Sequence, residues 1–119
     1  MIIIGDKYIP YNLIEKVTDI ESINFTKTNS TISFKFDKEI MSYSMNNNIN
    51  YIVKITSIKE AIYANSMNAS YLICKKNLAK TIQNIAENYL FDTKVLVQIK
   101  DEDEIEELAL LGIDGVIYL

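Results

Sequence analysis

Two lysines and a glutamine stand at equivalent positions in short apolar segments. Lys35, Lys54 and Gln98 each come two residues before the first residue of the loop that follows their segment. If the segments are parallel strands, these side chains share one face of a sheet, at the carboxyl edge where such sheets bind ligands. Adjacent ammonium groups repel each other, and an anion relieves that repulsion. The pattern predicts a phosphate or carboxylate site with Lys54 central and Lys35, Thr56 and Gln98 supporting.

A structural role is the simpler interpretation of Lys35. Its segment, residues 31–36, alternates polar and apolar side chains, which is typical of an edge strand with one face in water. A lysine on such a strand also blocks unwanted strand pairing. Lys54 is the stronger candidate for binding, because its segment, Tyr51–Ile55, is otherwise apolar.

The residue types that are absent restrict the chemistry further. The 119 residues contain no His, Arg or Trp and a single Cys. Without His the chain lacks the side chain best suited to proton transfer near neutral pH, and it cannot assemble a His- or thiolate-based zinc site. Cys74 ends an apolar segment and is predicted to pack in the core. The acidic run 101–104 is typical of a helix start. The sequence therefore predicts no catalytic set, no metal and no cofactor.

Charge and hydropathy limit the kinds of binding partner and the cellular compartment that we expect for this protein. The net charge is −4 and the lysines are scattered, which argues against nucleic acid as a partner. No apolar run approaches the ~18 residues of a membrane span, so no membrane interaction is expected. The apolar start is too short for a signal peptide. Together with the lone cysteine, this predicts a reducing, cytoplasmic location.

From residue 31 onward, strand-like segments alternate with helical patterns. Each segment is followed within three residues by a candidate helix cap, at Asp37, Ser57, Asn77 and Asp101. Each of three predicted helices ends before Asn48, Asn68 or Gly112, residues that tolerate the left-handed conformation. The predicted strands are 31–36, 51–55, 71–74, 94–99 and 116–119.

This alternation predicts an α/β fold, because strands joined through helices with tight loops run parallel. We expect a single domain over residues 1–119, with a less regular segment at 1–30 and repeated strand–helix units at 31–119. The sheet is predicted to have about five parallel strands. A flavodoxin-like three-layer sandwich accounts for the strands that are apolar on both faces, and a half TIM-barrel is the alternative.

The stretch KVLVQIKDEDEIEELALLGIDGVIYL at residues 94–119 resembles one strand–helix–strand unit of TIM-barrel phosphate-binding enzymes such as indole-3-glycerol-phosphate synthase. Residues 51–74 resemble another such unit. The resemblance implies parallel strands with outer helices. The chain has about half the length of a full barrel, and its three glycines cannot form the glycine-rich phosphate loops of that family. The resemblance therefore does not extend to the enzymatic activity.

Two functions remain open from the sequence. The first is a non-catalytic module that binds or regulates a protein partner. The second is a small enzyme or binder of an anionic ligand that uses Lys54. A homodimer is also expected, because the apolar segment 116–119 carries none of the features that protect a free sheet edge, and 2–4 is equally apolar. Pairing between these two segments within one chain is the alternative.

Overall fold

The protein forms one seven-stranded sheet whose neighbouring strands are all parallel. The computed structural model describes all 119 residues. The strands lie in the order β1-β7-β6-β5-β4-β3-β2, and the sheet curls into a half-barrel. The elements are β1 Ile2–Ile4, β2 Ile14–Lys16, α1 Ile20–Ile23, β3 Thr31–Lys35, α2 Lys38–Asn46, β4 Tyr51–Lys54, α3 Ile58–Ser66, β5 Tyr71–Cys74, α4 Lys76–Asn88, β6 Lys94–Ile99, α5 Asp103–Leu110 and β7 Gly115–Tyr118.

The helices cover one face of the sheet only, so the predicted flavodoxin-like sandwich is wrong and the half-barrel describes the fold. From β2 to β7 each strand lies beside its predecessor in the same direction. Right-handed crossovers then place every connecting helix on the same side. The largest apolar cluster joins strand and helix residues on this convex face. It includes Ile32, Val53, Leu72, Val95 and Val116 from strands and Ile40, Ala61, Ile82 and Leu108 from helices.

The opposite, concave face has a small apolar core of its own. Ile4, Ile52, Ile73, Leu96 and Ile117 form a separate buried cluster that contains no helical residue. Ile52 and Leu96 are fully buried there although no helix covers them. Curling of the sheet brings side chains of different strands together, which explains why the central strands are apolar on both faces.

The first thirty residues supply both outer strands of the sheet. β1 pairs with β7, and β2 pairs with β3. The sheet therefore has seven strands rather than the expected five or so. No helix connects β1 to β2. The connector, residues 5–13, passes from one edge of the sheet to the other and ends with the Leu13 carbonyl accepting a hydrogen bond from the Thr31 N–H at 2.9 Å.

Helix exits follow the sequence pattern more closely than helix starts. Asn48, Asn68 and Gly112 adopt φ values of 55°, 63° and 74°, as predicted. Asp37 and Ser57 cap α2 and α3 with their side chains. The predicted cap Asn77 is wrong, because α4 begins after Lys75 with Asn77 inside the helix. Asp101 lies one residue before the cap position Glu102, and its Oδ1 accepts a hydrogen bond from the Asp103 N–H at 2.9 Å, so it satisfies a donor of the first turn as predicted.

The expected free edge at residues 116–119 does not exist, because β7 lies between β1 and β6. The alternative, pairing with the 2–4 segment of the same chain, is the observed arrangement. Lys35 is not on an edge strand either, since β2 pairs outside β3. Self-association stays a prediction, and only the outer edges of β1 and β2 remain to support it. None of the five helices has the length and apolar character that crossing a membrane requires.

Candidate functional site

A cleft of about 550 Å³ opens at the carboxyl edge of the sheet, on its concave side. Four of its side chains lie at or next to the last position of their strands: Lys16 on β2, Lys35 on β3, Lys54 on β4 and Gln98 on β6. Ile73 of β5 forms part of its apolar floor. Alternation along each strand aims these side chains away from the helices, because their neighbours in sequence pack in the convex core.

Three successive strands, β2, β3 and β4, each end in a lysine that lines the cleft. Lys16, Lys35 and Lys54 are separated by 19 positions each, one strand-to-strand repeat. None of the three forms an ion pair, since both ion pairs of the protein belong to Lys76. Their positive charges therefore have no partner at carboxylate distance within the chain.

Lys35 and Lys54 are register partners, so their backbones are held side by side by the β3–β4 ladder. Neighbouring strands lie about 4.8 Å apart. Lys54 is partly buried while Lys35 is exposed. Lys54 lies opposite Ile73 on its other side, which gives it one charged and one apolar neighbour. The sheet thus fixes the two lysines at adjacent positions on one face.

Gln98 brings an unsatisfied polar atom to the opposite wall of the cleft. Its Oε1 is buried and has no hydrogen-bond partner. Buried polar atoms are almost always paired in folded proteins, because leaving one unpaired costs about 1–3 kcal/mol. Gln98 is register partner to Ile117, which offers no polar group. The cleft therefore contains an amide whose hydrogen bonding the protein does not complete.

Asp37 also borders the cleft, but its carboxylate has another role. Its Oδ1 accepts hydrogen bonds from the N–H groups of Glu39 at 2.9 Å and Ile40 at 3.1 Å. These bonds cap α2 and satisfy two of its free donors. Asp37 is thus engaged at the start of α2 and forms no ion pair with Lys35 or Lys54.

Of the four residues proposed from the sequence, Thr56 lies outside the cleft. Its Oγ1 lies 3.3 Å from Glu60 Oε1, and its N–H donates to the same oxygen at 2.9 Å. Thr56 thus takes part in the start of α3. Lys35, Lys54 and Gln98 line the cleft together. Lys16 was missed because β2 is only three residues long, although its 19-residue spacing from Lys35 was a signal in the sequence.

The remaining reactive groups have structural surroundings. Burial raises the pKa of the Cys74 thiol to about 12, so it stays protonated at neutral pH. In the acidic run, Glu104 accepts hydrogen bonds from the N–H groups of Lys100 and Asp101, which lower its pKa, and it also pairs with Lys76. No three acidic or Cys side chains come together as a set that could hold a metal ion.

Comparison with known proteins adds no family to this description: no family model and no curated protein matches the chain.

Proposed function

We propose that this protein binds a small phosphate- or carboxylate-bearing molecule in the cleft formed by Lys16, Lys35 and Lys54. The observation that carries the proposal is that three neighbouring strands each end in a lysine without an ion pair on the same side of the sheet. Side-by-side ammonium groups disfavour each other's charge, and a bound anion removes that penalty. Each ammonium also offers three donors for charge-assisted hydrogen bonds.

The shape of the site favours a small molecule over a macromolecule. A volume of about 550 Å³ lies within the usual range for small-molecule sites. The concave wall of the sheet and the start of α2 line it, and Lys54 is partly buried within it. The overall charge of −4 repels a polyanion such as nucleic acid. A protein-binding role would be favoured by a dry, flat apolar patch at the carboxyl edge of the sheet. The cleft at this edge is lined by lysines, which supports anion binding instead.

Titration of the 15N-labelled protein with inorganic phosphate tests the proposal. Ionic strength is held constant by replacing chloride, so that general screening does not change. We expect saturable shifts for amides near residues 16, 35 and 54. Lys54→Gln is expected to weaken binding by about tenfold or more, because a hydrogen bond to a charged group contributes roughly 1.5–3 kcal/mol.

Lys94→Gln is the matched control. Lys94 is exposed and begins β6, at the opposite edge of the sheet, so this variant has the same change of net charge away from the cleft. Phosphate affinity should be unchanged in it. Absence of saturable shifts in the wild type, or an equal loss in the Lys54 and Lys94 variants, would show that the cleft is not an anion site.

A further inference from the structure

The cleft has a second polar group that a simple anion would leave unused. Lys16, Lys35 and Lys54 lie on β2 to β4, whereas Gln98 lies on β6 with β5 between them. The buried Oε1 of Gln98 is an acceptor without a donor. None of the three lysines supplies that donor, although each ammonium has three N–H groups. A ligand that fills the cleft therefore meets positive charge on one side and the amide side chain of Gln98 on the other.

The separation between these groups sets the size of such a ligand. β4 and β6 are two strand spacings apart, ~10 Å along the sheet. Lysine and glutamine side chains both extend into the concave space, so the gap between their polar ends is shorter than the strand separation. Between them lies Ile73, which is 2% exposed and is the register partner of Lys54. The middle of the ligand thus rests on an apolar surface.

We infer that the ligand is an anion that also carries a hydroxyl group, separated from its charged end by a short carbon chain. The inference rests on the proposed function and adds the part of the ligand that faces Gln98. The hydroxyl donates to Oε1 of Gln98 after the terminal amide turns toward the cleft, a rotation that its broad χ3 torsion allows. A site built to hydrogen-bond a hydroxyl discriminates against an analogue that lacks it.

Two probes that differ only in hydroxyl groups separate this inference from simple anion binding. Glycerol 3-phosphate and propyl phosphate share a phosphate and a three-carbon chain, and propyl phosphate lacks the hydroxyls. Calorimetric titration of the wild type should give about tenfold tighter binding of glycerol 3-phosphate. In Gln98→Met, which keeps the length of the side chain and removes the amide, the two affinities should become equal, whereas Lys94→Gln, away from the cleft, should keep the preference.

The outcomes distinguish the two proposals. Equal affinities in the wild type, or a preference that survives in Gln98→Met, would overturn the inference and leave anion binding intact. Binding of neither probe, with no response to inorganic phosphate, would overturn both. A thermal melt of Gln98→Met shows that the variant is folded, and the preference measured in Lys94→Gln serves as the control.

Discussion

Lys35 and Lys54 occupy partner positions in the β3–β4 ladder and line the same cleft, with no carboxylate paired to either. Like charges directly opposite each other on neighbouring strands are destabilising, by roughly 0.2–1 kcal/mol. In the ligand-free protein at low ionic strength, Lys35→Gln should therefore raise the free energy of unfolding by a few tenths of a kcal/mol. Urea denaturation checks this, and the gain should shrink at 1 M NaCl, where the Debye length is ~3 Å. A loss of stability at low salt would contradict the repulsion.

Replacing Gln98 should stabilise the ligand-free protein and weaken its binding of a hydroxyl-bearing anion. Because its Oε1 is buried without a partner, Gln98→Met should raise the free energy of unfolding by about 1 kcal/mol in the absence of ligand. Functional sites can cost a protein stability, so a substitution that stabilises the protein there tends to impair function. Chemical denaturation with and without glycerol 3-phosphate measures both effects. A variant less stable than the wild type in plain buffer would indicate that the amide is already satisfied.

Cys74 should react with thiol reagents only when the protein unfolds. The side chain is 1% exposed, and burial raises its pKa to about 12. At pH 8 the folded protein should modify with Ellman's reagent far more slowly than the protein in urea. Rapid labelling of the native protein would contradict the burial.

The same shift makes the contribution of Cys74 to stability depend on pH. Above pH 9 the unfolded thiol ionises while the folded one stays protonated, so unfolding becomes more favourable as pH rises from 9 to 12. Below pH 9 the thiol is protonated in both states, and its full contribution to the free energy of unfolding is present. Cys74→Ala should lose less stability than the wild type between pH 8 and pH 10. Identical pH dependence in both proteins would contradict the shift.

Gly115 should tolerate no side chain. A Cβ at this position would lie 2.7 Å from the Cβ and carbonyl oxygen of Ile2 and from Leu96 Cδ2. Gly115→Ala should therefore destabilise the protein by about 1–3 kcal/mol, by forcing β1 away from β7. Gly112→Ala is the comparison, because Gly112 has open space around it and only its φ of 74° opposes a side chain. Thermal melts should place Gly115→Ala below Gly112→Ala, and the reverse order would contradict the close packing of β1 on β7.

Self-association is predicted to occur through the outer edge of β1. This strand consists of three isoleucines, whereas β2 carries the charges of Glu15 and Lys16 that protect an edge. The Ile2 N–H donates to the Asp114 carbonyl, on the side of β7. Because successive N–H groups of a strand point to opposite sides, the Ile3 N–H points away from β7, toward the free edge. Light scattering after size-exclusion chromatography should give about twice 13.7 kDa at high micromolar concentration.

Ile3→Pro should return the mass to that of a monomer, because it removes the outward donor and leaves the bonds to β7 in place. A wild-type mass of 13.7 kDa at every concentration would rule out the dimer.

The amino-acid sequence by itself determined the local features of the fold. The parallel α/β class, the five strands after residue 30 and the left-handed helix exits at Asn48, Asn68 and Gly112 follow from residue types and spacing within about 20 positions. The common side of Lys35, Lys54 and Gln98 follows from the two-residue period of a strand. These properties depend on neighbours along the chain, so they are readable without a structure.

Only the tertiary structure decided the strand order and the full composition of the cleft. Apolar residues on both faces of β5 and β6 fit a sandwich and a curled sheet equally well, since burial by helices and burial by other strands select the same side chains. β2 has three residues, two of them charged, and is a strand only because β3 pairs with it. Its pairing places Lys16 opposite Ser33 and on the same face of the sheet as Lys35, while Thr56 hydrogen-bonds to Glu60 at the start of α3, outside the cleft.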